Sequence, residues 1–327
     1  MILIVSESTD YSTSAVISWI NFLKPSAEII RINYTDKISA LSITNASIKF
    51  TFQRWNNEAI EVDFSNITSY WYRRGKFDFD KAFLNPFFQK QLYKYEQDEL
   101  KSIATYLHYT LKKIKSLNSY LNVAPNKLMV NNLAESFGLI TTEYIITTEK
   151  KSLLNFAAEK AGVVTKGIDE SIFLEIDEDA INGYTEKLVA EDLNEYSDKI
   201  FPTLLQKQVD KKYELRIFYL DGVFYPMAIF SQRDEQTRVD FRRYNFKKEN
   251  RCVPFKLPKS VQSKLRLLMN KLDLNCGSID MIVNTNNEFV FLEVNPVGQF
   301  GMVSEPCNYF LEKKIAEFLL KQKVWKN

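Results

Sequence analysis

The sequence predicts a protein of mixed α/β and α+β class, with an open α/β unit followed by two smaller units. Three observations support this fold class. Apolar strand patterns alternate with helical patterns in the N-terminal part, which favours an open sheet. The C-terminal part instead has strand patterns separated by tight turns, as in antiparallel sheets. The chain has 327 residues, which is more than one compact core of ordinary size requires.

The N-terminal unit is predicted to span residues 1–120. Its predicted strands are ILIVSE, AEIIRIN, SIKFTF, AIEVDF and ITSYWYRR. Between the first two of these, YSTSAVISWINFL predicts a helix with an apolar stripe. A charged helical pattern from Asn85 to about Leu117, with Pro86 near its start, predicts a long helix that closes the unit.

The central unit is predicted to be a small α+β domain that spans residues 121–200. Pro125 precedes a helix, KLMVNNLAESF, which is expected to end at Gly138. The strands predicted here are TEYIIT, GVVTKG and SIFLEI, and a second helix is predicted near LLNFAAEKA.

The C-terminal unit is predicted to span residues 201–327 around an antiparallel sheet. ELRIFYL and VFYPMAIF flank the pair Asp221-Gly222, which is a strong hairpin signal. The other predicted elements are the strands TLLQKQV, SIDMIVN and EFVFLEV and the helices SVQSKLRLLMNKL and YFLEKKIAEFLLK.

Composition narrows the class of protein. The 43 basic and 41 acidic residues are nearly balanced, which favours neither a nucleic-acid scaffold nor a membrane anchor. No apolar run approaches a membrane span, and MILIVSES resembles a first strand rather than a signal peptide. The odd number and wide spacing of Cys252, Cys276 and Cys307 indicate reduced thiols, and hence a cytoplasmic protein. We expect the one histidine, His108, to be structural or merely at the surface.

Acidic side chains interrupt two apolar strands near the C-terminus. SIDMIVN and EFVFLEV predict a hairpin, and a turn centred between Asn286 and Asn287 would place Asp280 opposite Glu293. Asn295 would lie on the same face as Glu293, because strand side chains alternate with a period of two. Two carboxylates and a carboxamide oxygen are ligands suited to a magnesium–nucleotide site.

The alternative is that these are two unrelated acids at solvent-facing strand ends. The segment after the second strand favours the metal site, because Pro296, Gly298 and Gly301 take the chain sharply away and leave room for a ligand.

A magnesium–triphosphate also needs cations. Lys166 interrupts the apolar strand VVTKG, and Lys127 stands at a helix start, where backbone N–H groups add positive potential. Arg216 lies within ELRIFYL and would point either toward the nucleotide or toward solvent. Most lysines are simply solvated, so neither lysine is strong evidence alone. The sequence has neither a P-loop nor a dinucleotide-binding glycine motif.

Taken together, these motifs resemble those of the ATP-grasp ligases from about residue 120 to the C-terminus. The motifs are NKLMVNNLAESFGL, the strand lysine of VVTKG, QKQVDKKYELR, Asp280 and the triplet Glu293-Val294-Asn295. TSYWYRRG, the spacing of QKQVDKKYELR, and VDFRRYN are similar to one branch, the microviridin-type or graspetide maturases, which include the grasp-with-spasm enzymes. The resemblance implies an ATP-grasp fold.

The resemblance also implies roles for individual residues. It implies phosphate contacts from Lys127 and Lys166, adenine contacts from Gln206, Lys207 and Val209, a contact from Glu214 either to the ribose or to the residues that surround it, and magnesium ligands Asp280, Glu293 and Asn295. Arg216 would face the transferred phosphate. The carbonyl of Lys207 and the N–H of Val209 would form hydrogen bonds with the edge of the adenine. Because both groups belong to the main chain, a lysine is tolerated at residue 207, where a glutamate is common in the family. The loop GIDES after Lys166 has few glycines, which departs from the family's flexible phosphate loop.

The implied activity is ATP-dependent ring formation in a ribosomal precursor peptide with a leader and a core rich in Thr, Glu and Asp. Asp or Glu side chains of the peptide would be activated as acyl phosphates and joined to Thr, Ser or Lys, with release of ADP and phosphate. The branch also implies a possible homodimer. Two alternatives are a small-molecule carboxylate–amine ligase and a non-catalytic ATP-binding regulatory protein.

The basic run SQRDEQTRVDFRRYNFKKENR supplies further candidates. Arg238 and Arg243 would hold the acyl phosphate or the acidic side chain through bidentate contacts, and Asp240 would orient or deprotonate the nucleophile. The alternative is a solvated loop whose acids partly cancel its cations. Arg73 and Arg74 follow an aromatic strand and are either structural or ligand contacts.

Overall fold

The computed structural model describes residues 1–81, 89–169, 173–176, 179–232 and 249–321. The chain forms two compact units. The first comprises residues 1–124, 274–277 and 296–327, and the second comprises residues 125–273 and 278–295. The further division near residue 200 stays a prediction. None of the helices in the described ranges is long and apolar enough to cross a membrane.

The described helices and strands follow the chain in this order. The helices are α1 (Tyr11–Leu23), α2 (Gln89–Lys112), α3 (Lys127–Ser136), α4 (Lys150–Glu159), α5 (Ala190–Asn194), α6 (Lys259–Lys271), α7 (Gly301–Ser304) and α8 (Leu311–Leu320). The strands of the first sheets are β1 (Ile2–Ser6), β2 (Ile29–Asn33), β3 (Lys37–Ile43), β4 (Ile48–Gln53), β5 (Ala59–Asp63), β6 (Ser69–Tyr72) and β7 (Lys115–Leu117). The later strands are β8 (Tyr144–Glu149), β9 (Val163–Thr165), β10 (Phe173–Ile176), β11 (Asp179–Asn182), β12 (Glu186–Leu188), β13 (Lys199–Lys207), β14 (Lys211–Leu220), β15 (Val223–Phe230), β16 (Arg251–Pro254), β17 (Cys276–Asn284) and β18 (Phe289–Asn295).

A parallel sheet with strand order β2-β1-β6-β7 forms the centre of the first unit. Every residue of β1 is buried, as expected for a strand covered on both faces. Helix α1 begins after Asp10, whose Oδ1 accepts a hydrogen bond from the N–H of Ser12 at 3.1 Å and so caps the helix. The predicted open α/β sheet and its first helix are confirmed.

Two strands of the first unit differ from the sequence prediction. The predicted helix from Asn85 to Leu117 is too long at its C-terminal end, because α2 ends at Lys112 and Lys115–Leu117 pairs in parallel with β6. Leu117 is fully buried in this strand, which explains why the chain leaves the helix here. The sequence prediction also omitted β3, which pairs with β4 in a three-stranded antiparallel sheet. The predicted helix start at Asn85 lies outside the described residues.

His108 has a structural position in the first unit. Its side chain is 1% exposed, with Nδ1 lying 2.7 Å from Oη of Tyr70 and the ring stacked on Tyr120. Burial lowers the pKa of His108 to about 3, because the charged imidazolium is disfavoured away from water. The expectation of a structural histidine is confirmed.

Arg73 is also structural in the first unit. Its Nε donates to Asp10 Oδ2 at 2.9 Å, and its Nη1 donates to the carbonyl oxygens of Val297 and Gly298. Of the two readings offered for this arginine, the structural one is therefore supported. Arg74 is partly exposed, with Nη1 lying 3.7 Å from Oε2 of Glu7.

Two larger sheets belong to the second unit. The first has the order β12-β9-β13-β8, and Gln206 of β13 lies between Tyr144 of β8 and Val164 of β9. The second has the order β16-β15-β14-β17-β18. The predicted β14–β15 hairpin is confirmed, because Asp221 and Gly222 at its turn have positive φ values of 45° and 88°.

Candidate active site

The β17–β18 hairpin brings Asp280 directly opposite Glu293, as the sequence predicted. The constant register used for that prediction is wrong. Near the turn Val283 faces Phe289, and the register shifts by one residue between Met281 and Asp280. A bulge supplies this shift and restores the predicted pairing. The two acids therefore oppose each other because the strand is irregular.

Three predicted metal ligands converge at the end of this hairpin. Asn295 Nδ2 lies 3.3 Å from Asp280 Oδ2 and 3.1 Å from Glu293 Oε1. Two cations offset the paired carboxylates: Arg216 Nη1 donates to Asp280 Oδ2, and Lys127 Nζ lies 3.4 Å from Glu293 Oε2. The costly juxtaposition of like charges is thus compensated on both sides.

The donor set at this point fits Mg²⁺. Two carboxylates and a carboxamide supply oxygen ligands, which magnesium prefers, and they leave room for water and phosphate oxygens. Among the described residues no group of three or more His, Cys, Asp or Glu side chains is arranged to hold a metal. The third donor of the predicted set is the carboxamide of Asn295. A half-turn of this amide would exchange Nδ2 for Oδ1 and present oxygen where nitrogen now faces the carboxylates.

A cavity of about 470 Å³ lies beside Asp280 and Glu293, within the second unit. Its volume is in the range of small-molecule sites. Eight of the residues predicted for nucleotide and metal binding line it: Lys127, Lys166, Gln206, Lys207, Val209, Glu214, Asp280 and Glu293. Sequence motifs separated by more than a hundred residues are therefore brought to one cavity.

On the β13 side of this cavity, the side chain of Lys207 is engaged by Glu143. Lys207 Nζ lies 3.0 Å from Glu143 Oε1, and Lys160 Nζ lies 2.6 Å from Oε2 of the same residue. Hydrogen bonds from Lys160 and Lys207 lower the pKa of Glu143 to about 2. The side chain of Lys207 is thus bound to Glu143. The predicted adenine contact of this residue uses only its main-chain carbonyl, so a lysine side chain is compatible with it.

Lys127 occupies the first position of α3, as predicted. The N–H groups of Leu128 and Met129 donate to Oδ1 of Asn126 at 3.0 and 3.1 Å. These two amides are therefore used by the helix cap. The contribution of this helix end to the site comes through the ammonium group of Lys127, which reaches Glu293.

Glu214 is contacted by two residues that were not predicted from the sequence. Lys211 Nζ donates to Glu214 Oε1 at 2.6 Å, and Ser231 Oγ donates to the same oxygen at 2.8 Å. Lys211 and Glu214 both line the cavity. Residue type alone does not distinguish Lys211 from its neighbour Lys212, because both are lysines.

Arg216 lies on β14, next to β17, and contacts the predicted metal ligand Asp280. Three further candidates, Arg238, Asp240 and Arg243, lie outside the described residues. Their roles stay predictions.

No family model matches the sequence, and no curated protein matches it. Among solved structures it is similar to a RiPP-associated ATP-grasp ligase from Chryseobacterium gregarium in complex with ADP and a leader and core peptide, with a TM-score of 0.79, 22% identity, and coverage of 97% of this chain and 96% of the other. It is also similar to the macrocyclase MdnC bound to the precursor peptide MdnA, from Microcystis aeruginosa, with a TM-score of 0.75, 23% identity, and coverage of 97% and 98%.

A third similar structure is the ATP-grasp ligase PsnB with a phosphomimetic variant of a minimal precursor, Mg and ADP. Its TM-score is 0.68 and its identity 17%, and the match covers 97% of each chain. At these identities the similarity establishes the fold. The chain therefore has the ATP-grasp fold that the sequence motifs implied.

Proposed function

We propose that this protein is an ATP-dependent carboxylate ligase that forms rings in a ribosomal precursor peptide. The convergence of Asp280, Glu293 and Asn295 beside a cavity lined by Lys127 and Lys166 carries the proposal. Oxygen ligands and ammonium groups in one cavity match the needs of a magnesium–nucleotide complex. The ATP-grasp fold of the chain also supports an ATP-dependent ligase.

The residues around the cavity would bind ATP in one orientation. Main-chain groups of Lys207 and Val209 would contact adenine, and Glu214 would accept hydrogen bonds from ribose hydroxyls. Lys127 and Lys166 would neutralise phosphate oxygens, and Asp280, Glu293 and Asn295 would hold magnesium. When bound, Mg²⁺ would supply positive charge beside the terminal phosphates.

The first chemical step would activate the peptide. A side-chain carboxylate oxygen of the peptide attacks the γ-phosphorus, the bond from that phosphorus to the bridging oxygen breaks, and ADP leaves with the bonding electrons. The product is an acyl phosphate, which is a far better acylating agent than a carboxylate. Arg216 would stabilise the charge on the transferred phosphoryl group, since positioning and charge stabilisation supply most of the catalysis in such reactions.

The second step would close the ring. A hydroxyl or amine of the same peptide attacks the acyl carbon, phosphate leaves, and the proton of the nucleophile passes to a base. Asp240 is the proposed base, and Arg238 and Arg243 are proposed to hold the acyl phosphate through bidentate contacts. The net result is one ester or amide, with ATP converted to ADP and phosphate.

The substrate assignment is supported by what similar proteins were bound to. The Chryseobacterium gregarium ligase was bound to a leader and core peptide, and MdnC was bound to the precursor peptide MdnA. For this chain we propose a precursor with a leader and a core rich in Thr, Glu and Asp. Homodimer formation and a cytoplasmic location are proposed with it.

The test is to incubate the protein with ATP, Mg²⁺ and a candidate precursor peptide, chosen as a short neighbouring reading frame with repeated Thr and Glu or Asp. We expect ADP release that depends on the peptide, and peptide masses lower by one water for each bond formed, measured by mass spectrometry. Glu293→Gln should abolish both, because it removes a charged metal ligand. Glu288→Gln is the matched control, since Glu288 lies at the turn of the same hairpin and pairs with Asn284.

Unchanged peptide modification by Glu293→Gln would show that the metal assignment is wrong. ADP release that responds to small carboxylates and amines, but not to the peptide, would instead indicate a small-molecule ligase.

A further inference from the structure

A buried ion pair lies on the wall of the nucleotide cavity. Lys211 Nζ and Glu214 Oε1 are 2.6 Å apart, and the side chains are only 5% and 9% exposed. Burying a lysine and a glutamate is costly unless their geometry and remaining hydrogen bonds are good. This pair is therefore expected to have a use beyond stability, and both of its members line the cavity.

A third group holds the same carboxylate oxygen. Ser231 is fully buried, and its Oγ donates to Glu214 Oε1 at 2.8 Å. Two donors from different positions, Lys211 at the start of β14 and Ser231 directly after β15, thus fix one oxygen of Glu214. A carboxylate held in this way cannot rotate freely about its terminal bond, so its orientation toward the cavity is set before a ligand binds.

The neighbouring lysine provides an internal contrast. Lys212 follows Lys211 directly, but its Nζ contacts Oδ1 of Asn287 at 2.9 Å in an exposed hydrogen bond. The two lysines have the same chemistry and adjacent positions. Only Lys211 contacts Glu214.

We propose that Lys211 and Ser231 are positioning residues that fix Glu214 for recognition of the nucleotide's ribose, and that they thereby select ribonucleotides over 2′-deoxyribonucleotides. The proposal rests on the proposed ATP-dependent function, in which Glu214 contacts the ribose. A fixed carboxylate accepts hydrogen bonds from ribose hydroxyls without reorganising. A ligand that lacks the 2′-hydroxyl loses one hydrogen bond to a charged group, which lowers its affinity relative to the ribonucleotide.

The experiment measures binding of ADP and of 2′-deoxyADP by isothermal titration calorimetry, with Mg²⁺ present and no peptide. The wild-type protein should bind ADP about tenfold or more tightly than 2′-deoxyADP, as expected for a hydrogen bond to a charged group. Lys211→Met should bring the ratio of the two dissociation constants close to one, mainly by weakening ADP binding. Ser231→Ala should lower the ratio partially, and the control Lys212→Met should leave it unchanged.

A merely structural role for Lys211 would weaken binding of both nucleotides equally and preserve the ratio, which would overturn the proposal. If Lys211→Met does not fold, the folded variant Ser231→Ala provides the test instead. An unchanged ratio of the two dissociation constants in Ser231→Ala also overturns the proposal. Failure of the wild-type protein to bind ADP would refute the proposed function itself. Tight binding of both nucleotides without discrimination would refute only the role of this cluster.

Discussion

The first and second units each contain a buried Arg–Asp ion pair, and the two pairs differ in their surroundings. In the first unit the Arg73 and Asp10 side chains are 3% and 8% exposed. In the second unit the Arg216 and Asp280 side chains are 10% and 13% exposed. Burial and residue type are nearly the same. The neighbours of each pair indicate which one has a functional use.

The donors of Arg73 are used by the protein itself. They contact Asp10 and the carbonyl oxygens of Val297 and Gly298, while Asp10 also accepts from Ser12 and Thr13. Burial alone would raise the pKa of Asp10, but the charge of Arg73 and hydrogen bonds from Thr13 and Arg73 hold it below its usual value. This pair stabilises an ionised, enclosed network.

The Arg216–Asp280 pair in the second unit belongs to a cluster of polar side chains that borders the cavity. Asp280 also lies beside Asn295, which contacts Glu293, and both carboxylates line the cavity. Nε of Arg216 is buried and has no hydrogen-bond partner among the described residues. A buried ion pair is therefore not by itself a sign of a functional site, whereas one that joins further acids and a cavity is a good candidate.

The largest effect expected from this comparison is on catalysis at the second pair. Arg216→Met should lower the turnover number for peptide-dependent ADP release by about 100-fold or more, because it removes the donor that we propose stabilises the transferred phosphoryl group. Steady-state kinetics at saturating ATP and peptide would measure this. Full turnover in the folded variant would contradict the role given to Arg216.

The corresponding substitution in the first unit should act on stability. Arg73→Met should lower the free energy of unfolding by about 3 kcal/mol, because it leaves the buried carboxylate of Asp10 without its cation. Chemical denaturation monitored by circular dichroism measures this change. The folded fraction should still bind ADP. A variant as stable as the wild-type protein would show that the enclosed network is not structural.

A smaller, pH-dependent effect is expected from His108. Its pKa is about 3 in the folded protein and near 6.5 when unfolded, so the unfolded chain binds a proton between these values and the folded chain does not. Stability from the neutral histidine is thus present above pH 6.5 and is lost as the pH falls toward 3. From pH 7 to 5 the loss is about 2 kcal/mol.

Because His108 is the chain's one histidine, His108→Gln isolates this contribution. The drop in unfolding free energy between pH 7 and pH 5 should be about 2 kcal/mol smaller in the variant than in the wild-type protein. Identical drops in the two proteins would contradict the depressed pKa.

Local patterns in the sequence were enough to predict most elements of the fold and the cluster at the hairpin end. The pairing of Asp280 with Glu293 was predicted correctly, but the bulge that produces it was not, because an extra residue in one strand leaves no periodic signal. Strand β7 was assigned to a helix, since its three residues continue the preceding helical pattern and pairing with β6 decides their conformation.

The contact between Lys211 and Glu214 could not be predicted from strand periodicity. Side chains three residues apart face opposite sides of a regular strand, so alternation would place Lys212, rather than Lys211, on the face of Glu214. The structure has the reverse, because Lys211 is the first residue of β14 and its long side chain reaches Glu214. The position of a flexible side chain at a strand end is set by its partners, which sequence periodicity does not specify.

The most direct measurement is a crystal structure of the protein with ADP and Mg²⁺. From the proposed magnesium site we expect one metal ion bound by oxygen atoms of Asp280, Glu293 and Asn295. The Asn295 amide should be turned so that Oδ1 faces the ion, and the nucleotide should fill the adjoining cavity. ADP bound elsewhere, or no ion among these three side chains with Nδ2 of Asn295 still facing the carboxylates, would contradict the proposed site.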